Sequence, residues 1–489
     1  MSAAHRRRAA PPGRRPGDGG VQLIAYADRL GGSLAGLGRV LDGPLAGAFG
    51  GVHVLPFYSP YDGADAGFDP DDHLAVDPRL GGWDDVAALA RGREVVADLI
   101  VNHVSDRSAA FRDAVASGEP GVLLTFDRVF PRGATADDLL AITRPRPNLP
   151  FTRAVLGGRP RLLWTTFTPH QVDLDVHAPA ARAYLSAVLR RLAGCGVTTV
   201  RLDAVGYTVK TAGTSCFLTP ETYRFVDELV AEARGLGLAV LAEVHAPQRV
   251  AAGAAAHVDR VYDFTLGPLV LHAVLTGDAG PLQAWWATRP ANTVTVLDTH
   301  DGLGMLDAAG LLTPAQLEAL VDRIRVGSGG TSVTSRVPDG IYQVSCTLHD
   351  ALGRDDRAFL LARLLQLFTP GLPQVYYVGL LAGHNVPVAP GGDARETHRR
   401  RYTVEEVDAA VRQPVVATLV ELIRLRRTHP AFGGTFSVSD ADGELVLAWR
   451  DGGAAAVLRV ALAPGSWSAT FSADGTSRTV TDAHVARVR

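Results

Sequence analysis

Eight short apolar runs, separated by stretches of helical patterning, constrain the fold of this chain more than any other feature. The runs occupy residues 21–26, 51–57, 94–101, 197–202, 239–243, 261–264, 294–297 and 374–378. Most are apolar without alternation, as strands covered on both faces must be. Between them, stretches such as 83–90, 180–193 and 220–233 repeat apolar residues at helical spacing. Eight strand–helix units predict an α/β fold, a (β/α)8 TIM barrel of parallel strands.

Two intervals are too long for simple connections. Residues 104–175, rich in Pro and Gly, read as an inserted domain after the third strand. Residues 303–353, after the seventh strand, contain Gly327-Ser-Gly-Gly-Thr-Ser-Val and read as an inserted loop domain. Both leave from the carboxyl ends of strands, so both are expected to wall the barrel mouth. After about 432 the pattern becomes short and alternating, which predicts a C-terminal antiparallel β domain over 432–489. The barrel itself is then assigned to 21–103, 176–302 and 354–431, and residues 1–20 to a disordered tail.

Composition narrows the function. A hydrophobic fraction of 47% over 489 residues supports a large core, and a formal net charge of -3 argues against a nucleic-acid partner. Lys210 is the only lysine, and no Gly-rich loop precedes it. Walker-type phosphate loops and Schiff-base enzymes need a lysine in such a setting. Cys195, Cys216 and Cys346 are too few and too scattered for a disulfide framework or a zinc site, which fits a reducing cytoplasm. No apolar run reaches ~18 residues, so no membrane-spanning helix is expected. Gly235-Leu-Gly237 lacks the third glycine of a dinucleotide loop, and Trp285 and Trp286 read as packing residues.

The chemistry collects at strand ends. Asp203 closes Val197-Thr-Thr-Val-Arg-Leu-Asp, Glu243 closes Ala239-Val-Leu-Ala-Glu, and Asp301 follows Val294–Asp298 in Thr299-His300-Asp301. Asp98-Leu-Ile-Val-Asn102-His103 ends the third run. The carboxyl-end face is where such barrels keep their active sites, and two carboxyls flanking a sugar bond are the minimal glycosidase apparatus. Arg201, two residues before Asp203, lies on the same strand face and is expected to keep that carboxylate ionised. Glu243, after four apolar residues, is expected to have a raised pKa suited to a general acid. Arg399-Arg400-Arg401 fits a solvated cluster as well as a phosphate or sugar contact.

These four strand-end segments resemble the four signature regions of glycoside hydrolase family 13, the α-amylase family. Longer strings resemble its sucrose phosphorylase-like subfamily: Val21-Gln-Leu-Ile-Ala-Tyr-Ala-Asp-Arg-Leu-Gly, Gly63-Ala-Asp-Ala-Gly-Phe-Asp-Pro, Arg144-Pro-Arg-Pro, Gly213-Thr-Ser-Cys-Phe and Pro373-Gln-Val-Tyr-Tyr-Val-Gly. The resemblance covers about 21–489. It implies a retaining double displacement with Asp203 as nucleophile, Glu243 as general acid and base, and Asp301 as transition-state stabiliser. Asp65, Phe68, His103, Phe167, Gln171, Arg201, Tyr207, His300 and Arg399 would form the glucose subsite. Thr143, Arg146, Asp339, Gly340, Tyr342 and Gln343 would face the acceptor or phosphate. The implied reaction converts sucrose and phosphate into α-D-glucose 1-phosphate and fructose.

The resemblance further implies small-molecule substrates, no metal, no cofactor beyond inorganic phosphate as co-substrate, and leaves a homodimer open. Departures lie on the acceptor side. Thr143 stands where such proteins usually carry an aromatic residue, Asp339-Gly340-Ile341 replaces Leu-Asp-Leu, and Thr397-His398-Arg399-Arg400-Arg401-Tyr402 replaces Ile-Asn-Arg-His-Tyr. An acceptor bearing a phosphate or carboxylate, as in sucrose 6F-phosphate or glucosylglycerate, is therefore the alternative, and a non-catalytic amylase-fold binding protein a remote one.

Overall fold

A computed structural model describes residues 20–145, 148–337, 340–441, 443–463 and 465–483. Residues 1–19 of the tail assigned to 1–20, and two of the acceptor-side candidates, Arg146 and Asp339, lie outside the described residues.

Eight parallel strands close into a barrel: β1 (Gln22–Ala25), β2 (Gly51–Val54), β3 (Glu94–Ile100), β4 (Thr199–Asp203), β5 (Ala239–Ala242), β6 (Arg260–Asp263), β7 (Thr293–Thr295) and β8 (Leu372–Tyr376). Each pairs with its chain neighbour, and β8 closes the ring on β1. Every apolar run of the sequence overlaps one of these strands. Several runs overshoot, because apolar burial outlasts the backbone ladder: β2 stops at Val54, yet Leu55 and Phe57 remain fully buried.

The helices follow local sequence chemistry. Helix Pro220–Gly235 starts with Thr219, whose hydroxyl accepts from the Thr222 amide, and with proline in its first turn. A fixed φ and a missing N–H suit proline to that position. Its apolar stripe, Phe225, Val226, Leu229, Val230 and Ala233, is buried against the barrel. Helix Pro179–Gly194 buries Leu185, Val188, Leu189 and Leu192 in the same way.

Between β3 and β4 the chain builds strand His103–Ser105, paired antiparallel with Gln171–Asp173, and a hairpin of Phe151–Leu156 with Arg159–Trp164. This region has its own small core of Leu124, Val129, Phe130, Ile142 and Trp164, closed by Cys216 from the loop after β4. The interval after β7 is more ordered than its glycines suggested. It holds helix Pro314–Gly327 and a sheet in which Gly340–Ser345 lies between Leu303–Gly304 and Val333–Val337. At the C-terminus, five antiparallel strands between Thr435 and Thr481 form a meander. Trp449 of that sheet donates to the Phe368 carbonyl at 2.7 Å and so anchors it to the barrel helix Asp356–Phe368.

Two aromatic and one basic expectation resolve simply. Trp285 and Trp286 are buried, their indoles bonded to Asp263 and Thr369. Arg399 is buried, whereas Arg400 and Arg401 are exposed and pair with Glu406 and Asp28.

Candidate active site

Asp203 is the last residue of β4, and Glu243 is the first residue after β5. Neighbouring parallel strands in register bring these two ends together. Below both lies Arg201, almost fully buried. Its Nη1 donates to Asp203 Oδ1 at 3.0 Å, and its Nη2 forms an ion pair with Glu243 Oε1 at 2.6 Å. Nη1 also pairs closely with Asp98 on β3. One guanidinium thus spans three carboxylates and sets the two strand-end acids side by side.

The backbone turns sharply after the first acid. Ala204 has a φ of +50°, a left-handed conformation that costs an alanine about 1 kcal/mol. The turn aims the Ala204 amide at Glu243 Oε2, 3.0 Å away. Gly206 follows because a Cβ there would lie 2.5 Å from the Phe217 ring, which lines the pocket.

Electrostatics reverse both expectations drawn from sequence for these acids, an ionised Asp203 and a raised Glu243. Burial and the adjacent Glu243 push the Asp203 carboxyl well up, with Arg201 only partly opposing them. Burial would also raise Glu243, but Arg201 and His245 draw it down to about 2. The cause is that Arg201 reaches past Asp203 to Glu243, and His245 Nε2 lies a further 3.6 Å from Glu243 Oε1. Two acids held this close share one proton, and their titration belongs to the pair.

Asp301 comes from the loop beyond β7, not from the strand. Burial would raise its carboxyl, but His300, Arg395, Arg399 and His245 hold it well below the carboxylate range. Arg395 Nη1 is 3.4 Å from Asp301 Oδ1, and its Nη2 donates to Asp65 Oδ1 at 2.5 Å. Gln171 Nε2 donates to the other Asp65 oxygen at 3.1 Å and lies 3.0 Å from His103 Nε2. Phe68 stacks on His300 at 4.9 Å and 12°. Burial lowers His300 to about 4, so its ring is neutral and free to hydrogen-bond a hydroxyl. Phe167 and Tyr207 meet edge-on at 5.3 Å along the opposite wall.

One pocket is therefore lined by Asp203, Glu243 and Asp301 together with Asp65, Phe68, His103, Phe167, Gln171, Tyr207, His300, Tyr342 and Gln343. Arg201 forms its floor. Other candidates fall elsewhere. Arg399 sits one layer behind, its Nε donating to the His300 carbonyl at 2.8 Å and its Nη2 3.8 Å from Asp301. Thr143 is exposed, its amide bonded to the Ser215 carbonyl at 2.8 Å. Gly340 is exposed at the start of the strand that carries Tyr342 and Gln343.

Arg395 and His245 line the pocket without having been singled out in the sequence, and Pro145 and Phe217 line it from within the strings Arg144-Pro-Arg-Pro and Gly213-Thr-Ser-Cys-Phe. His245 was within reach of sequence reasoning, standing two residues beyond Glu243. Its imidazole stacks on Phe264 at 4.0 Å, and although burial lowers its pKa, Asp307 and Glu243 carry it up to about 10. Arg395 precedes Arg399 by four residues, and nothing in the local pattern separates the two.

Ligating atoms of Glu243, His245 and Asp301 all lie within 4.8 Å of one another. Among the described residues this is the set that could hold a metal ion. Arg201, Arg395 and the cationic His245 oppose a dication there, so the donor set fits a metal poorly.

Residues 32–245 match the family described as "Alpha amylase, catalytic domain". The chain is 50% identical to a sucrose phosphorylase of Agrobacterium vitis over 93% of its length and 97% of the relative's. It is 44% identical to a sucrose phosphorylase of Bifidobacterium adolescentis, covering 88% of this chain and 90% of that one. Among solved structures, the crystal structure of sucrose 6F-phosphate phosphorylase from Thermoanaerobacter thermosaccharolyticum superposes with a TM-score of 0.90 at 35% identity, covering 95% of this chain and 97% of the other.

Proposed function

This chain belongs to the α-amylase family, in the branch that holds the sucrose phosphorylases, and from that premise we propose how its pocket converts sucrose and phosphate into α-D-glucose 1-phosphate and fructose. The observation that carries the reading is the placement of Asp203 and Glu243 side by side on one guanidinium, that of Arg201. The first step of a retaining transfer requires one ionised carboxylate and one protonated carboxyl. The pair holds that single proton.

With a glucosyl ring seated between Asp301 and Phe68, the anomeric carbon faces Asp203 and the glycosidic oxygen faces Glu243. The proton passes to Glu243. Asp203 attacks the anomeric carbon while Glu243 protonates the departing fructosyl oxygen, leaving a β-glucosyl ester on Asp203. Phosphate then enters the vacated acceptor space, Glu243 takes its proton, and its oxygen attacks the same carbon. Two inversions retain the α configuration. Splitting the transfer into two displacements lowers each barrier. Asp301, kept ionised by its ring of cations, stabilises the positive charge that develops on the sugar ring. Arg395 and Asp65 hold the far hydroxyls.

The reaction as proposed uses inorganic phosphate as co-substrate and no metal or organic cofactor. Among the described residues no helix is long and apolar enough to cross a membrane. The three cysteines are unpaired, which supports a cytoplasmic setting, and a homodimer is the assembly to test first. The second reading keeps the mechanism and changes the acceptor, and the exposed Thr143 beside Pro145 favours it. An acceptor panel decides. Incubation of purified protein with phosphate and either sucrose or sucrose 6F-phosphate, with product identification, should release fructose and glucose 1-phosphate from sucrose. Release from sucrose 6F-phosphate alone would transfer the assignment to the second reading.

A further inference from the structure

Beneath the pocket floor the barrel interior is polar. Gln22 on β1, His53 on β2, Asp98 on β3, Tyr262 on β6 and Gln374 on β8 are all buried and form one hydrogen-bonded column. Its polarity can be read from the amino end. Glu94, an acid at the start of β3, accepts from Gln22 Nε2 at 3.0 Å. Gln22 Oε1 accepts from Gln374 Nε2 at 2.6 Å, which turns Gln374 Oε1 toward Tyr262. The Tyr262 hydroxyl donates to that oxygen at 2.9 Å.

A phenol has one proton to donate. The Tyr262 oxygen, 3.2 Å from His53 Nδ1, therefore accepts, and Nδ1 must carry a hydrogen. At the other side of the ring, Nε2 lies 3.0 Å from Asp98 Oδ2. Asp98 also pairs with Arg201 and is held ionised, and an ionised carboxylate only accepts. Nε2 must carry a hydrogen as well.

We propose that His53 is a cationic positioning residue, an imidazolium that neutralises Asp98 from below so that Arg201 remains available to the Asp203–Glu243 pair. Arg201 is otherwise shared between Asp98 and the Asp203–Glu243 pair, and His53 gives Asp98 a partner of its own on the side away from that pair. The groups that face the ring are Asp98 from β3 and Tyr262 from β6, with Arg201 of β4 beyond Asp98. Its ladder neighbours Ile24 and Val96 are uncharged. His53 touches no sugar and acts only through Asp98 and Arg201.

Histidine-selective 15N labelling of the full chain reads the ring directly, with His53→Gln assigning the signal. Both nitrogens should be protonated at pH 7. A bare nitrogen on either side overturns the proposal, whatever substrate the protein uses. The kinetic arm rests on the sucrose phosphorolysis proposed above. His53→Leu should lower kcat by roughly 10²-fold with KM little changed, the low end of what groups serving proton transfer contribute. His53→Gln keeps an N–H toward Asp98 but no charge. Losing that cation raises the proton affinity of the pair, so the basic limb of its kcat profile should move to higher pH. A profile identical to the parent in both variants would refute the charge role. Absence of sucrose turnover in the parent itself would instead refute the proposed function and leave the nitrogen spectrum to judge His53.

Discussion

The two ends of the pocket are built differently. At the glucose end, charges are cross-braced: Arg201 spans Asp98, Asp203 and Glu243, and Arg395 spans Asp65 and Asp301. Nearly every group there is buried and springs from a strand end or a loop pinned to one. At the acceptor rim, Thr143 is exposed, Gly340 is exposed, and Tyr342 and Gln343 ride on a short sheet outside the barrel. In the proposed reaction the donor sugar would meet this cross-braced network, whereas the acceptor would meet residues carried outside the barrel.

The largest effect should come from breaking the braced end at its reacting atom. Asp203→Asn should lower kcat by roughly 10⁴-fold or more while the melting temperature stays near the parent's, because the amide is nearly isosteric but cannot attack. Steady-state phosphorolysis with a thermal melt checks both halves. Turnover within tenfold of the parent would remove Asp203 from its role.

Next in size, Arg395→Leu leaves Asp65 and Asp301 without their shared cation. The expected loss in kcat/KM is about 10²- to nearly 10⁴-fold, in line with ~3–5 kcal/mol for a buried charge stripped of its partner. Arg399→Leu should cost less, since Arg399 stands one layer behind the pocket wall. Equal losses in the two variants would contradict this placement.

His245→Gln should act through pH. The folded protein raises this histidine from 6.5 to about 10. A raised histidine contributes stability that is fully present below the unfolded value and is lost as pH rises through the folded one. The gap in melting temperature between parent and variant should therefore be widest at or below pH 6.5 and close toward pH 10. A gap independent of pH across that window would show that His245 is not held as a cation.

The smallest effect belongs to the rim. Thr143→Tyr should alter the KM for fructose in the synthetic direction by a few-fold, with formation of the glucosyl enzyme hardly changed, because an exposed contact contributes about 1 kcal/mol or less. A large drop in the first half-reaction would mean that the rim and the glucose end are mechanically one unit.

Much of this was readable in the chain before its fold was known. Apolar runs without alternation meant strands covered on both sides, and acids placed just past them meant side chains at a barrel mouth. Asp203, Glu243 and His103 could be found this way because strand geometry is local. Asp301 was found by its neighbours Thr299 and His300, although it proved to stand in the loop beyond β7. Arg399 was assigned to the glucose subsite and Arg395 was passed over, since a 3-10 turn at Ala394–His398 decides which guanidinium enters the pocket. The expectation that Arg201 keeps Asp203 ionised also misled, because a guanidinium has two ends and the sequence names only its nearest neighbour.

The chain alone determined the barrel, the order of its acids and the exclusion of lysine-dependent chemistry, all of which follow from periodicity, spacing and composition. Only the tertiary structure decided that Asp203 and Glu243 titrate as one pair over Arg201, that Asp307 and Glu243 draw His245 up, and that His53 stands beside Asp98. Those outcomes depend on burial and on distances of a few ångströms between residues far apart along the chain, where the dielectric is low and each charge is felt by its neighbours.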